Sequence, residues 1–374
     1  MLLCLAFLLT PVKVGLATAQ EDHLDQRLSA IGKSKDVTTA SIQYLPFILD
    51  AVSWLPGTWE AFPVRPYAAN SPWNTPIGPD PVYDPHSTEM VATLGLYNSG
   101  EIASNTEDYS YTFYVANEKT PRSDVTCTNG NCNIITPDGT VRVPVLKDVP
   151  IPEGAAPAGG SDAPMIVIDK VNSLEYDLRK AEHLPTGWQV DNGAVYNILW
   201  DGAPVKFGSR GAGVPYFAGL IRPWEIAQGH IDHAVAFSYP GPAVNRCVFP
   251  ASKTDGDSTL PYAIPEGARL QLDPSLTEAD FAAMGLSQTG IIIARALQNY
   301  GMILVNVSGR PKIFAENLID NPYAGVQWSD PDLDLTSKAI ANIPYTAYRV
   351  VALPAAYWTG ENPLFHGECM NYQK

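Results

Sequence analysis

MIVIDKVNSLEYDLRKAE, residues 165–182, decides the fold class. Met165 to Ile168 is a short apolar run, Val171-Asn172-Ser173 supplies turn residues, and LEYDL resumes as a second run. The pattern reads as strand, turn, strand. Similar runs, bounded by Gly, Pro, Asn and Asp clusters, recur from residue 109: YSYTFYVA, RVPVLKDVPIP, GAVYNILW, HAVAFSY, RLQLDP, GMILVNVS and AYRVVALP. About nine strands at this spacing predict a mainly β fold, an antiparallel β-sandwich of jelly-roll type with two or three short helices.

The helices have their own punctuation. RPWEIAQG (222–229) has Pro223 in a first-turn position and Gly229 as a stop. LTEADFAAMGLSQTGIIIARALQNYG (276–301) starts at Thr277 or Ser287 and stops at Gly301, and HSTEMVATLGLYNSG (86–100) reads as a short helix closed by Gly100. The prolines of 62–85 forbid a central strand or a helix, so that stretch is expected to wrap the body and bury Trp73 and Tyr83.

The 374 residues are 45% hydrophobic and 17% charged, enough to bury a sizeable core. A net charge of −15 repels phosphate backbones and argues against a nucleic-acid partner. It also repels polyuronates at long range, and suits neutral substrates, calcium or an acidic habitat. Residues 2–9 are continuously apolar and Ala17-Thr18-Ala19 is a small-x-small cleavage pattern, so 1–19 reads as a signal peptide for a secreted, extracellular protein, although a positive n-region is missing. A lead segment (20–61), a β-sandwich domain (62–350) and a C-terminal tail (351–374) follow, and no later run is long enough to span a membrane.

Four cysteines remain after the leader. In VTCTNGNCNI, Asn129-Gly130 is a two-residue hairpin signal that sets Cys127 opposite Cys132 at disulfide distance. The rival reading, half a zinc site, lacks a second pair of similar spacing. Cys247 and Cys369 then pair by elimination and tie the tail to the body.

Several groups are candidates for chemistry. Glu175 and Asp177 share a strand face, with Asp169 nearby; two carboxylates about 5–10 Å apart can serve as acid and base or nucleophile on a glycosidic bond. The bland alternative is a solvated face. Arg269, Gln271 and Asp273 form a polar row suited to sugar hydroxyls or a carboxylate, or else to plain surface. His230 and His233 are expected to diverge where a helix ends and a strand begins, which disfavours a shared metal. If Ala234 and Ala236 face the core, then His233, Val235 and Phe237 line either a second buried layer or a substrate groove. TDGDS (254–258) and SDPDLDL (329–335) could ligate calcium, but turn chemistry explains both. No cofactor is otherwise expected, and GSRGAG (208–213) is a poor phosphate cradle because it opens no helix.

SPWNTPIG, MIVIDKVNSLEYDL, GSRGAGVPYFAGLIRPWEI, GHIDHAVAFSYP, IPEGARLQLDP, IARALQNYGMILVN and NPYAG together resemble a family of secreted bacterial proteins, chiefly actinobacterial and chloroflexal. Its usual forms are close to VIDPATGTEYDFW, GLIRPEEIRAGRIDHAL and IPEGARLRLDP. Asp169, Glu175, Tyr176, Asp177, Asp232, His233, Arg269, Asp273 and Tyr300 fall on recurring letters. His230 does not, and the chain departs at Lys170 and Leu178-Arg179, where the family has Pro and an aromatic pair. The resemblance implies export, a β-sandwich body and a link to carbohydrate. The first expectation is therefore a polysaccharide-cleaving enzyme: a hydrolase using Glu175 and Asp177, or a lyase with His233 or Tyr300 as base and Arg269 and Gln271 on the uronate. The alternative is a non-catalytic glycan-binding, cell-surface or structural exoprotein.

Overall fold

The computed structural model describes residues 65–353, except 131, 137–138, 205–206 and 323. The expected signal peptide, the lead segment, most of the C-terminal tail and Cys369 lie outside the described residues.

The 165–182 stretch is a hairpin: Met165 pairs with Leu178 and Asp169 with Leu174, antiparallel. Asp169 shapes the turn. Its Oδ1 accepts the backbone N–H of Val171 (3.0 Å) and Asn172 (3.2 Å), and Ser173 follows at a φ of 56°.

This hairpin lies inside a six-stranded sheet whose spatial order is Thr112–Ala116, Met165–Asp169, Leu174–Arg179, Asn192–Asn197, Cys132–Thr136 and Gly139–Val143. On one side of it sits a second six-stranded sheet: Ala103–Asn105, Lys312–Phe314, Val235–Tyr239, Met302–Val307, Arg269–Leu272 and Tyr348–Val350. On the other sits a four-stranded sheet of Val145–Pro150, Arg122–Cys127, Gly187–Val190 and Glu182–Leu184.

Side-chain alternation fixes the layers. Ile166 and Ile168 pack with Ala234, Ala236, Ile303 and Val305 of the second sheet. Met165 and Val167 pack with Val125, Leu146 and Val190 of the four-stranded sheet. Val235, Phe237, Met302 and Leu304 turn the other way, onto Ile293 and Leu297 of the helix Gln288–Asn299. The order is helix, sheet, sheet, sheet. Strands such as Met165–Asp169 are buried on both faces, so they read as unbroken apolar runs.

The fold is mainly β and sandwich-like, as the strand pattern predicts. Its sheets are mixed: Val235–Tyr239 runs parallel to Met302–Val307, and Thr112–Ala116 parallel to Met165–Asp169. Parallel neighbours need a crossover, and the helix Gln288–Asn299 lies within the first of these.

Both helix starts near 280 are used. Thr277 caps Glu278–Ala283 and Ser287 caps Gln288–Asn299, each through its side-chain oxygen. Pro223–Gln228 is helical and Gly229 closes it at a φ of 88°. From Arg65 on, the Pro-rich stretch wraps the body with Trp73 fully buried, whereas Tyr83 is only half-buried. No described helix is long and apolar enough to cross a membrane.

The Cys127–Cys132 disulfide is present, with Cα atoms 5.8 Å apart. The expected hairpin around it is not: Cys127 ends a strand of the four-stranded sheet and Cys132 begins one of the neighbouring six-stranded sheet. Thr128 and Asn129 donate their N–H groups to Val190 and Asp191 instead of closing a two-strand ladder. The bridge therefore staples two layers where the chain steps between them.

Candidate functional site

Glu175 and Asp177 point from one strand face into the core between the two six-stranded sheets. Both are fully buried, at 0% and 1% exposure. The space above them is filled by an interior strap, residues 208–222, nearly all of it buried. The strap bonds to the second sheet through Ala212 N–H to Val305 O, Ala236 N–H to Gly219 O and Ile221 N–H to Phe314 O. Small residues admit it. A Cβ on Gly219 would lie 2.4 Å from Ala236 N, and one on Gly208 would lie 2.0 Å from Gly213 O.

A strap buried between sheets carries backbone groups that need partners. The two carboxyls supply them. Glu175 Oε1 accepts Phe217 N–H at 2.8 Å and Oε2 accepts the Tyr67 hydroxyl at 2.6 Å. Asp177 Oδ2 accepts Tyr216 N–H at 2.8 Å. Asp177 Oδ1 is buried without a hydrogen-bond partner among the described residues. Burial raises both groups, and the Glu175 charge raises Asp177 further. Arg210 completes the strap: it donates to Tyr111 Oη (3.0 Å), Ala218 O (2.9 Å) and Tyr216 O (2.5 Å).

Where the strap leaves the interior, a second buried network begins. Arg222 Nε donates to Glu316 Oε2 at 2.6 Å, and its guanidinium lies 3.4 Å from the Phe113 ring centroid. Burial pushes Glu316 up to about 7, with Arg222 pulling it back. Glu225 Oε2 accepts Arg222 N–H at 2.9 Å, capping the helix Pro223–Gln228, while its Oε1 meets His233 Nε2 at 2.9 Å. His233 Nδ1 lies 2.9 Å from Ala234 O, an acceptor. Both ring nitrogens thus face oxygens that accept, an arrangement that favours the imidazolium. Burial opposes that charge, but Glu225 and the Ala234 carbonyl outweigh it and the His233 pKa is raised.

The two networks meet at a cavity lined by Tyr67, Trp73, Asn74, Phe217, Arg222 and His233, among others. Its volume is about 10 Å³, room for one water and no sugar ring. The face beyond Ala234 and Ala236, carrying Val235 and Phe237, is a second buried layer and not a groove.

The other predicted site residues are also engaged in the fold. Asp169 is buried, bonded to Arg122 and Asn172 at 2.8 Å each; burial raises it, but these partners lower it overall. Arg269 donates to the carbonyls of Pro72, Thr75 and Tyr300, and burial lowers it to about 10. Gln271 donates to Gln298 O and accepts the Tyr83 hydroxyl. Asp273 is held below its usual value by the Ser275 hydroxyl and N–H. Tyr300 is half-buried and packs against the inter-sheet core. His230 is exposed and pairs with Asp232 at 3.1 Å, so the two histidines diverge. In the acidic clusters Asp255 and Asp330 accept backbone N–H groups, and no three His, Cys, Asp or Glu residues are grouped to hold a metal among the described residues.

Sequence reasoning missed Arg210, Arg222, Glu225 and Glu316, the charges that hold the strap and its exit. One signal was available: GSRGAG and FAGL carry glycines in a segment with no strand or helix period, yet rich in apolar residues. Protein-family models, curated proteins and solved structures give no match to this chain.

Proposed function

We propose that the chain is an exported, non-catalytic β-scaffold that contacts polysaccharide or cell-surface glycan through its exterior. The occupancy of the Glu175–Asp177 pair carries this reading. A hydrolase needs two carboxyls that reach either side of a glycosidic bond. Here the pair is buried and spends three of its four oxygens on Tyr67, Tyr216 and Phe217. A lyase needs a base that reaches its substrate, and His233 is buried with both ring nitrogens engaged by Glu225 and the Ala234 carbonyl. The same residues that suggest catalysis in sequence explain, as strap anchors, why Asp and Glu stand in the middle of a core strand.

Export is supported by the leader pattern and by the Cys127–Cys132 bridge, which needs an oxidising compartment. Glycan contact is supported by exposed aromatic faces, Trp200 at 37% and Tyr262 at 38%, of the kind on which sugar rings stack. The test pairs two assays on protein purified from residue 20 onward. Polysaccharides are screened for new reducing ends and for absorbance near 235 nm, and insoluble glycans for retention of the protein. Retention that Trp200→Ala or Tyr262→Ala weakens, without products, is the expected result. Product formation abolished by Glu175→Gln at unchanged thermal stability would refute the reading.

A further inference from the structure

We propose that Asn129 is a self-modification site, deamidated by attack of the Gly130 backbone nitrogen, while the fold protects the chain's other Asn-Gly pair. The inference is independent of glycan binding at the exterior. Asn-Gly occurs twice in the sequence, at 129–130 and at 192–193. Glycine is the successor that least hinders such an attack, because no Cβ stands beside the nitrogen. In sequence the two pairs are equivalent, and only their places in the structure separate them.

Asn129 and Gly130 are both exposed, in the link between the strands Arg122–Cys127 and Cys132–Thr136. The backbone there is held loosely. Asn129 N–H donates to Asp191 O and Gly130 N–H to Cys127 O, both at 3.3 Å. That is longer than the usual N–H···O range of about 2.7–3.2 Å. A Cβ placed on Gly130 would meet nothing within 4 Å, so an imide ring has room to close.

Asn192 and Gly193 instead open the strand Asn192–Asn197, where they pair with Arg179 and Leu178. Closing the imide would turn Asn192 ψ out of the extended range and break that pairing. Gly193 is buried, and a Cβ on it would lie 3.0 Å from Cys132 Sγ and 3.3 Å from Asp177 O. Attack at Asn192 therefore waits on local opening of a core strand.

The chemistry needs only water. Hydroxide removes the Gly130 amide proton, and the nitrogen forms a bond to Asn129 Cγ. The Cγ–Nδ2 bond breaks, and Nδ2 takes a proton from water and leaves as ammonia. The resulting succinimide then adds water. Cleavage at Cγ gives aspartate, and cleavage at the main-chain carbonyl gives isoaspartate, whose backbone carries one more carbon. Either product adds a negative charge. The isoaspartyl form also enlarges the ring that the Cys127–Cys132 bridge closes, at the step between two sheets.

Purified protein with its disulfide intact is incubated at pH 8, then reduced, digested and followed by mass spectrometry that resolves amide from acid. In the folded protein Asn129 is expected to convert at least about tenfold faster than Asn192, which must await strand opening. After reduction and unfolding in guanidinium chloride the two rates should converge. Asn129→Gln, which would have to close a larger and slower-forming imide, should lose the fast phase. Equal rates in the folded protein, rates that stay apart in guanidinium, or a fast phase that persists in Asn129→Gln would each overturn the proposal.

Discussion

Asp177 and Glu175, two residues apart on one strand face, accept the backbone N–H groups of Tyr216 and Phe217 at 2.8 Å each. The arrangement solves a local problem. A strap running between two sheets leaves N–H groups with no ladder to join, and two acidic side chains supply acceptors at adjacent positions. Burial raises both carboxyls and the Glu175 charge raises Asp177 further, which favours a proton on the pair over two adjacent anions.

These raised carboxyls make stability pH-dependent. Burial raises both carboxyls above their unfolded values, so the native state keeps a proton that the unfolded chain releases above about pH 4. Native protein then binds more protons than unfolded protein, and stability falls as pH rises from there toward the native value. Asp177→Asn keeps a donor toward Glu175 and removes the titration. Its urea midpoint is expected to fall less steeply than the wild-type midpoint from pH 4 to 8. Parallel curves for the two proteins would exclude a native Asp177 raised by its burial.

How legible was this in the sequence? The strands that are buried on two faces were plain, because Met165–Ile168, Val235–Phe237 and Met302–Val305 are unbroken apolar runs. Arg122–Cys127 and Gly187–Val190 were not, since each has one face in solvent and too few residues to show a period. The acidic pair was found, but not its burial. Sequence shows that two carboxylates share a face, but what lies opposite that face depends on a strap some forty residues later. Pattern reasoning carries no information about such distant partners. The disulfide was legible for a related reason, in reverse. Cys127 and Cys132 are close along the chain whatever ladder they join, so the pairing survived although the expected hairpin did not.

His233 gives a dependence confined to a different group. Its charged form donates to Glu225 and Ala234, and its pKa is raised above the unfolded value near 6.5. The stabilisation is fully present below that unfolded value and is lost as pH rises through the folded one. His233→Gln keeps one donor and cannot titrate. Nuclear magnetic resonance of the imidazole should report a midpoint above 6.5 in wild type, and Glu225→Gln should bring it down. A midpoint at or below 6.5 in wild type would mean that His233 is neutral and that Glu225 pairs elsewhere.

The Arg222–Glu316 pair allows the sharpest separation of a bond from the burial it compensates. Arg222 is 3% exposed, Glu316 is 0%, and the atoms meet at 2.6 Å. Glu316→Leu leaves a guanidinium in the core without its counter-charge, for which the expected cost is about 3–5 kcal/mol. Arg222→Met with Glu316→Leu removes both charges together and keeps most of the volume, and should cost less than either single change. Denaturant unfolding of the four proteins gives the coupling directly. Additive losses would mean that the stacking of Arg222 on Phe113, and not the ion pair, holds the strap's exit. A double variant more stable than either single would place the pair with buried ions whose removal one at a time is costly because each leaves the other uncompensated. The pair's role would then be to fix where the strap emerges and the helix Pro223–Gln228 begins, since a guanidinium has one place in that core where its charge is met.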